Sequence, residues 1–131
     1  MRHRPTKLTA RRAFQTIRVV ARAMLNGEPA VTYSDLAKRL GMPNDTGRGL
    51  GPILDEAALK CKENNLPDIT SVVVTKESLA SGTPMPSEAS FNALGFWPLS
   101  GLHKDDVPAE QERVRNFDWR KVRQLNLLGP I

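Results

Sequence analysis

The strongest strand signal in the chain is one run, Ile69-Thr70-Ser71-Val72-Val73-Val74-Thr75, in which β-branched residues dominate. It is expected to be a buried strand. Segments with helical period stand on either side, so the expected fold class is α+β, mainly α, with a short β element and a C-terminal helix. From Thr9 to Leu25, residues Ala10, Ala13, Phe14, Ile17, Val20, Ala21 and Met24 recur at three- and four-residue steps. That spacing predicts a helix with Thr9 as N-cap and Asn26-Gly27 as its stop. Thr32 followed by Asp35 predicts a capping box for a short helix with the apolar stripe Leu36, Ala37 and Leu40; Gly41 ends it, with Pro43 beyond.

A third helix is expected from Pro52 onward, with Leu50, Ile53, Leu54, Ala57, Ala58 and Cys61 on one side and Asn64-Asn65 and Pro67 as its close. Gly47, Gly49 and Gly51 blur its start. Lys76 to Ser90 holds Gly82, Pro84, Pro86 and four serines without helical period, and reads as a long turn or exposed wing. Phe96-Trp97-Pro98-Leu99 forms an apolar knot expected to cover the core edge. Asp105 or Asp106 is the expected cap of a last helix with Pro108 in its first turn. Phe96, Trp97 and Phe117 are expected in the core, while Trp119 reads either as core or as an anchor for a partner. The 131 residues fit one domain, read as a basic arm (1–8), a folded body (9–118) and a C-terminal tail (119–131).

Charge is unevenly placed. The net charge is +5, yet residues 1–25 hold seven bases (Arg2, Arg4, Lys7, Arg11, Arg12, Arg18, Arg22) and no acid, leaving twelve bases against fourteen acids elsewhere. A polyanion would be drawn to that end. Arg113, Arg115, Arg120, Lys121 and Arg123 make a second cluster, opposed after residue 113 only by Asp118. Arg11, Arg18 and Arg22 return to nearly the same helical angle, so one face carries charge while another packs; a merely solvated surface is the alternative reading.

Several chemistries find no material in the sequence. A single cysteine, Cys61, excludes an intramolecular disulfide and a thiolate cluster, and His3 and His103 lie a hundred residues apart, so no metal and no cofactor are expected. No apolar window approaches the roughly eighteen residues of a membrane span, and the basic N-terminus is unlike a signal peptide, so no membrane contact and a cytoplasmic location are expected. Gly47-Arg48-Gly49-Leu50-Gly51 is neither a Walker loop nor a dinucleotide fingerprint. The run Asp105, Asp106, Glu110 and Glu112 is explained by helix N-terminal charge. His103 has no identifiable nucleophile partner, and the expected protein is not an enzyme.

The order of a helix, two helices joined by a tight turn, a strand and a loop resembles a winged helix-turn-helix. Over roughly residues 30 to 75, about a third of the chain, Thr32-Tyr33-Ser34-Asp35-Leu36-Ala37, Gly41-Met42-Pro43 and Gly47-Arg48-Gly49-Leu50-Gly51 resemble the DNA-binding region of O6-alkylguanine-DNA alkyltransferases and alkyltransferase-like proteins. The family reads there Thr/Ser-Tyr-Gly-Glu-Ile-Ala, Gly-x-Pro and Arg-Ala-Val-Gly. Its reactive Pro-Cys-His-Arg is replaced here by Ile69 to Val73, which excludes alkyl transfer by that mechanism. Cys61 falls on an apolar helix side, where cysteines are packing residues.

The resemblance implies that Arg48 stands where the family inserts an arginine into the base stack, with Thr46, Gly47, Gly49, Gly51 and Tyr33 near the nucleic acid. The glycines would let backbone amides approach a phosphate; a tight turn and helix packing are their alternative use. Arg11, Arg18 and Arg22 would add phosphate contacts. The expected function is therefore a non-catalytic regulator or accessory protein that binds duplex DNA, or RNA. The alternative is a phage-type or anti-defence adaptor or inhibitor that grips a protein partner, or a second copy of itself, through the 76–90 loop and the tail residues Trp119, Arg120, Leu127 and Leu128.

Overall fold

The computed structural model describes residues 6–43, 49–97 and 101–122. Within them the chain is mainly helical, with one two-stranded sheet. Helix α1 (Lys7–Leu25) begins one turn before Thr9, because the Thr6 hydroxyl accepts the Thr9 amide at 3.0 Å and takes the N-cap role itself. Lys7 and Leu8 of the expected arm thus belong to the helix. Gly27, at φ +80°, closes α1, as the Glu28 amide donates to the Ala23 carbonyl and the Gly27 amide to that of Met24.

The same closure ends the next two helices. Helix α2 (Tyr33–Arg39) is capped by Thr32, whose hydroxyl accepts the Asp35 amide at 3.3 Å, and ends where Gly41 (φ +71°) lets the Met42 amide reach the Ala37 carbonyl. Helix α3 (Leu50–Glu63) ends where Asn65, at φ +57°, lets the Leu66 amide reach the Cys61 carbonyl at 2.8 Å. A left-handed residue after each helix satisfies carbonyls that the helix leaves open, and it sets the direction in which the chain departs.

Strands β1 (Val31–Thr32) and β2 (Val73–Val74) pair in parallel, with Val31 opposite Val73 and Thr32 opposite Val74. The run from Ile69 to Val74 is buried as expected, but only two of its residues are strand; Ile69–Val72 is a 3-10 turn. The cause is Asp68. Its carboxylate accepts from both the amide and the hydroxyl of Thr70, at 3.1 and 2.6 Å, and bends the chain before it can extend.

The segment from Lys76 to Ser90 is more than half exposed, as expected, but it is a tethered helix and loop rather than a hairpin wing. Thr75 caps a one-turn helix, α4 (Lys76–Ala80), and the chain then folds back on the body. The Thr75 amide donates to the Met85 carbonyl, the Met85 amide to Ser78 Oγ, and the Ser87 amide to the Tyr33 hydroxyl at 2.7 Å. Helix α5 (Val107–Asn116) holds this loop from the other side: the Gln111 side-chain amide donates to the carbonyls of Ser71 and Pro84, both at 2.9 Å. Asp106 stands at the N-cap of α5 with Pro108 in its first turn, as expected, but its side chain makes no capping hydrogen bond. A 3-10 turn at Lys104–Asp106 precedes the helix, and the His103 ring accepts the Asp105 amide there.

The core joins one side of α1 (Ala13, Ile17, Val20, Ala21, Met24) to the apolar side of α3 and to Val72, Val73 and Val74. Both tryptophans are in it, at 2 % exposure for Trp97 and 0 % for Trp119. Trp119 donates its indole N–H to the Val114 carbonyl at 2.9 Å and meets Phe117 edge to face, and Val122 is buried beyond it. The folded body therefore runs at least to Val122, past the expected boundary at 118. Phe96 departs from expectation in the other direction. It is 42 % exposed, next to an exposed Leu94, while Trp97 alone of the knot's described residues turns inward.

Candidate nucleic-acid interface

Helix α1 carries Lys7, Arg11, Arg12, Arg18 and Arg22 and no acidic residue. Lys7, Arg11, Gln15, Arg18 and Arg22 follow one another at steps of three or four, so they form one stripe along the side turned from the core. The stripe is about 22 Å long at 1.5 Å per residue. At its C-terminal end it becomes the wall of a cleft against α2, a space of about 410 Å³ lined by Gln15, Arg18, Val19, Arg22, Arg39 and Leu40.

In the sequence Arg39 carries no signal of a site beyond Asp35, four residues before it. Its guanidinium meets Glu28 at 2.8 Å and Asp35 at 2.9 Å, which fixes its position at the cleft. The hydrogen bond to Glu28 raises the Arg39 pKa above its ordinary value, with Asp35 adding to the effect and partial burial opposing it. Glu28 reaches Arg39 because Gly27 and the Ala23 closure turn the chain back across α2.

The start of α3 is open to solvent. Gly49 (φ +84°), Gly51 and Pro52 are exposed, and Gly51 has no heavy atom near the place a Cβ would take. Thr46, Gly47 and Arg48 lie outside the described residues. The flank of α3 offers less to a polyanion. It bears Asp55, Glu56 and Glu63 against Lys60 and Lys62, and Trp97 roofs part of it by donating its indole N–H to Asp55 at 3.1 Å. Lys60 turns onto the Phe14 ring of α1, 5.3 Å from its centroid, and lies 4.0 Å from the buried Glu56. Tyr33 is half-buried, and its hydroxyl braces the loop at Ser87.

The C-terminal basic cluster stands among carboxylates of its own segment, whereas α1 has no acid in its own sequence. Arg113 meets Glu110 at 2.6 Å, Arg115 meets Glu112 at 3.6 Å and donates to the Pro29 carbonyl, and Lys121 lies 3.9 Å from Asp118. Arg120 is exposed, but its neighbour Trp119 is sealed in the core and cannot serve as a surface anchor. Leu127 and Leu128 lie outside the described residues.

Cys61 is fully buried, and desolvation pushes its thiol up to about 12, so it has no thiolate to offer near neutral pH. Among the described residues no group of three or more His, Cys, Asp or Glu side chains is placed to hold a metal ion. No helix among them is long and apolar enough to cross a membrane. Compared with protein-family models, with curated proteins and with solved structures, the chain gives no match in any of the three.

Proposed function

We propose that this protein is a non-catalytic nucleic-acid-binding protein, acting on duplex DNA as a regulator or recognition accessory. The observation that carries the reading is the acid-free cationic stripe of α1, which continues into the arginine-lined cleft against α2. Phosphates are the part of a duplex that such a surface can hold, and they position a protein without selecting sequence. Helices α2 and α3 are read as a helix-turn-helix within a winged-helix order, without a wing hairpin at 76–90. The exposed tip of α3 at Gly49, Gly51 and Pro52, with Arg48 beside it in sequence, is the edge that would select sequence. Because Trp97 roofs part of its flank, α3 would approach end-on. The alkyltransferase-like resemblance supports the same assignment, and the protonated, buried Cys61 agrees with a role that involves no group transfer.

A duplex titration by fluorescence anisotropy at two ionic strengths tests this reading. Affinity is expected to fall steeply with salt, and Arg48→Ala to weaken binding more than Arg120→Ala. Salt-insensitive binding, or none to any duplex, would overturn it. A second reading, an adaptor for a protein partner, is favoured by the exposed pair Leu94 and Phe96 at the tip of the 91–97 loop. It predicts that Leu94→Ser with Phe96→Ser abolishes partner binding while leaving any duplex binding intact.

A further inference from the structure

We propose that the cleft between α1 and α2 seats one internal phosphodiester of a nucleic-acid strand, its oxygens on Arg18, Arg22 and Gln15 and its sugar against Val19 and Leu40. This rests on the nucleic-acid reading above and deepens it by naming the unit bound. Three features of the cleft select that unit. Among the described residues its polar wall is Gln15, Arg18, Arg22 and Arg39, three guanidinium forks of five N–H donors each and one side-chain amide. Its other wall is apolar, so the ligand has a neutral carbon face beside its charge, as a sugar next to a phosphate does.

The third feature is the rim. Glu28 and Asp35, both bonded to Arg39 of the cleft wall, repel a bound anion in proportion to its charge and so weigh most against one that brings more than a single negative charge. A terminal phosphate or a pyrophosphate carries that excess, and a diester inside a strand does not. Arg39 itself, held by both carboxylates, serves to position the wall and presents a fixed guanidinium edge.

The test uses the full chain and dimethyl phosphate, a monoanionic diester, with inorganic phosphate and chloride at matched ionic strength as comparisons. The readout is NMR of the Gln15 side-chain amide and the arginine Nε–H groups, and each variant is titrated with a duplex in parallel. Dimethyl phosphate is expected to shift the cleft signals saturably, more tightly than inorganic phosphate, and to be lost with Arg22→Ala. Glu28→Gln and Asp35→Asn are expected to strengthen duplex binding by about two- to fivefold, since each removes a repelling charge of surface strength. A role confined to folding predicts the opposite sign for both.

Duplex binding with unmoved cleft signals, and with Glu28→Gln neutral, would overturn the inference and leave the α1 reading in place. Saturable diester binding by a protein that ignores every duplex would instead overturn the nucleic-acid source, and with it the function proposed above.

Discussion

Trp119 moves the edge of the folded body by itself. Its indole is large enough to need a core and its N–H needs an acceptor, and the last turn of α5 supplies one at the Val114 carbonyl. Trp119→Ala is expected to cost about 3–5 kcal/mol in a urea titration, the range for emptying a buried aromatic site. Trp119→Phe keeps most of the packing, leaves that carbonyl unpaired, and is expected to cost about 1–3 kcal/mol. Cys61 makes a different demand. Its thiol titrates near its ordinary value in the unfolded chain but only at about 12 in the fold. Between those values the unfolded state gives up a proton that the native state keeps, so stability is lost as pH rises, by about 1.4 kcal/mol per pH unit. Below the ordinary thiol value the group contributes no slope. Denaturation midpoints measured from pH 8 to 11 are expected to show this fall, and Cys61→Ala to reduce it.

At the scale of elements, helix stops were the most legible part of the sequence. Gly27 and Gly41 each stop a helix where their φ is positive, and Thr32 caps α2 as its spacing to Asp35 suggested. The third stop uses Asn65 at φ +57°, a conformation that costs a side chain more than it costs glycine. Asn65→Gly is expected to raise the thermal midpoint, by about 1 kcal/mol of stability, and Asn65→Ala to lower it. Legibility failed where a side chain competed with propensity. Six buried residues from Ile69 to Val74 read as a strand, yet the Thr70 amide and hydroxyl, both donating to the Asp68 carboxylate, turn four of them into a 3-10 turn. The 76–90 loop failed for a related reason: its anchors, Tyr33 and Gln111, are distant in sequence, and no local pattern announces them. In the candidate site, Arg11, Arg18 and Arg22 were legible from helical spacing alone. Arg39 was not, because its place depends on Glu28, eleven residues away and brought near by the turn at Gly27.

Across the whole molecule, two basic regions differ in the acids that their own segments carry. The α1 stripe has no acid on its own helix, whereas α5 and the turn after it pair Arg113, Arg115 and Lys121 with local carboxylates. If Lys7, Arg11, Arg18 and Arg22 each neutralise one phosphate, log affinity falls against log salt with a slope of about −3.6, or about a hundredfold between 50 and 200 mM. Replacing Arg11 or Arg22 by Ala is expected to reduce that slope by about one each, while Arg113→Ala leaves it unchanged. Equal effects at the two ends would move the contact surface to α5.

The two indoles also determine how this molecule can be watched. Trp97 and Trp119 are both sealed from water with their N–H groups engaged, and neither borders the cleft between α1 and α2. Their ultraviolet emission is expected to lie well to the blue and to shift red only when the body comes apart. A ligand that settles against α1 leaves that colour unchanged, so any spectral shift on adding one reports rearrangement of the interior.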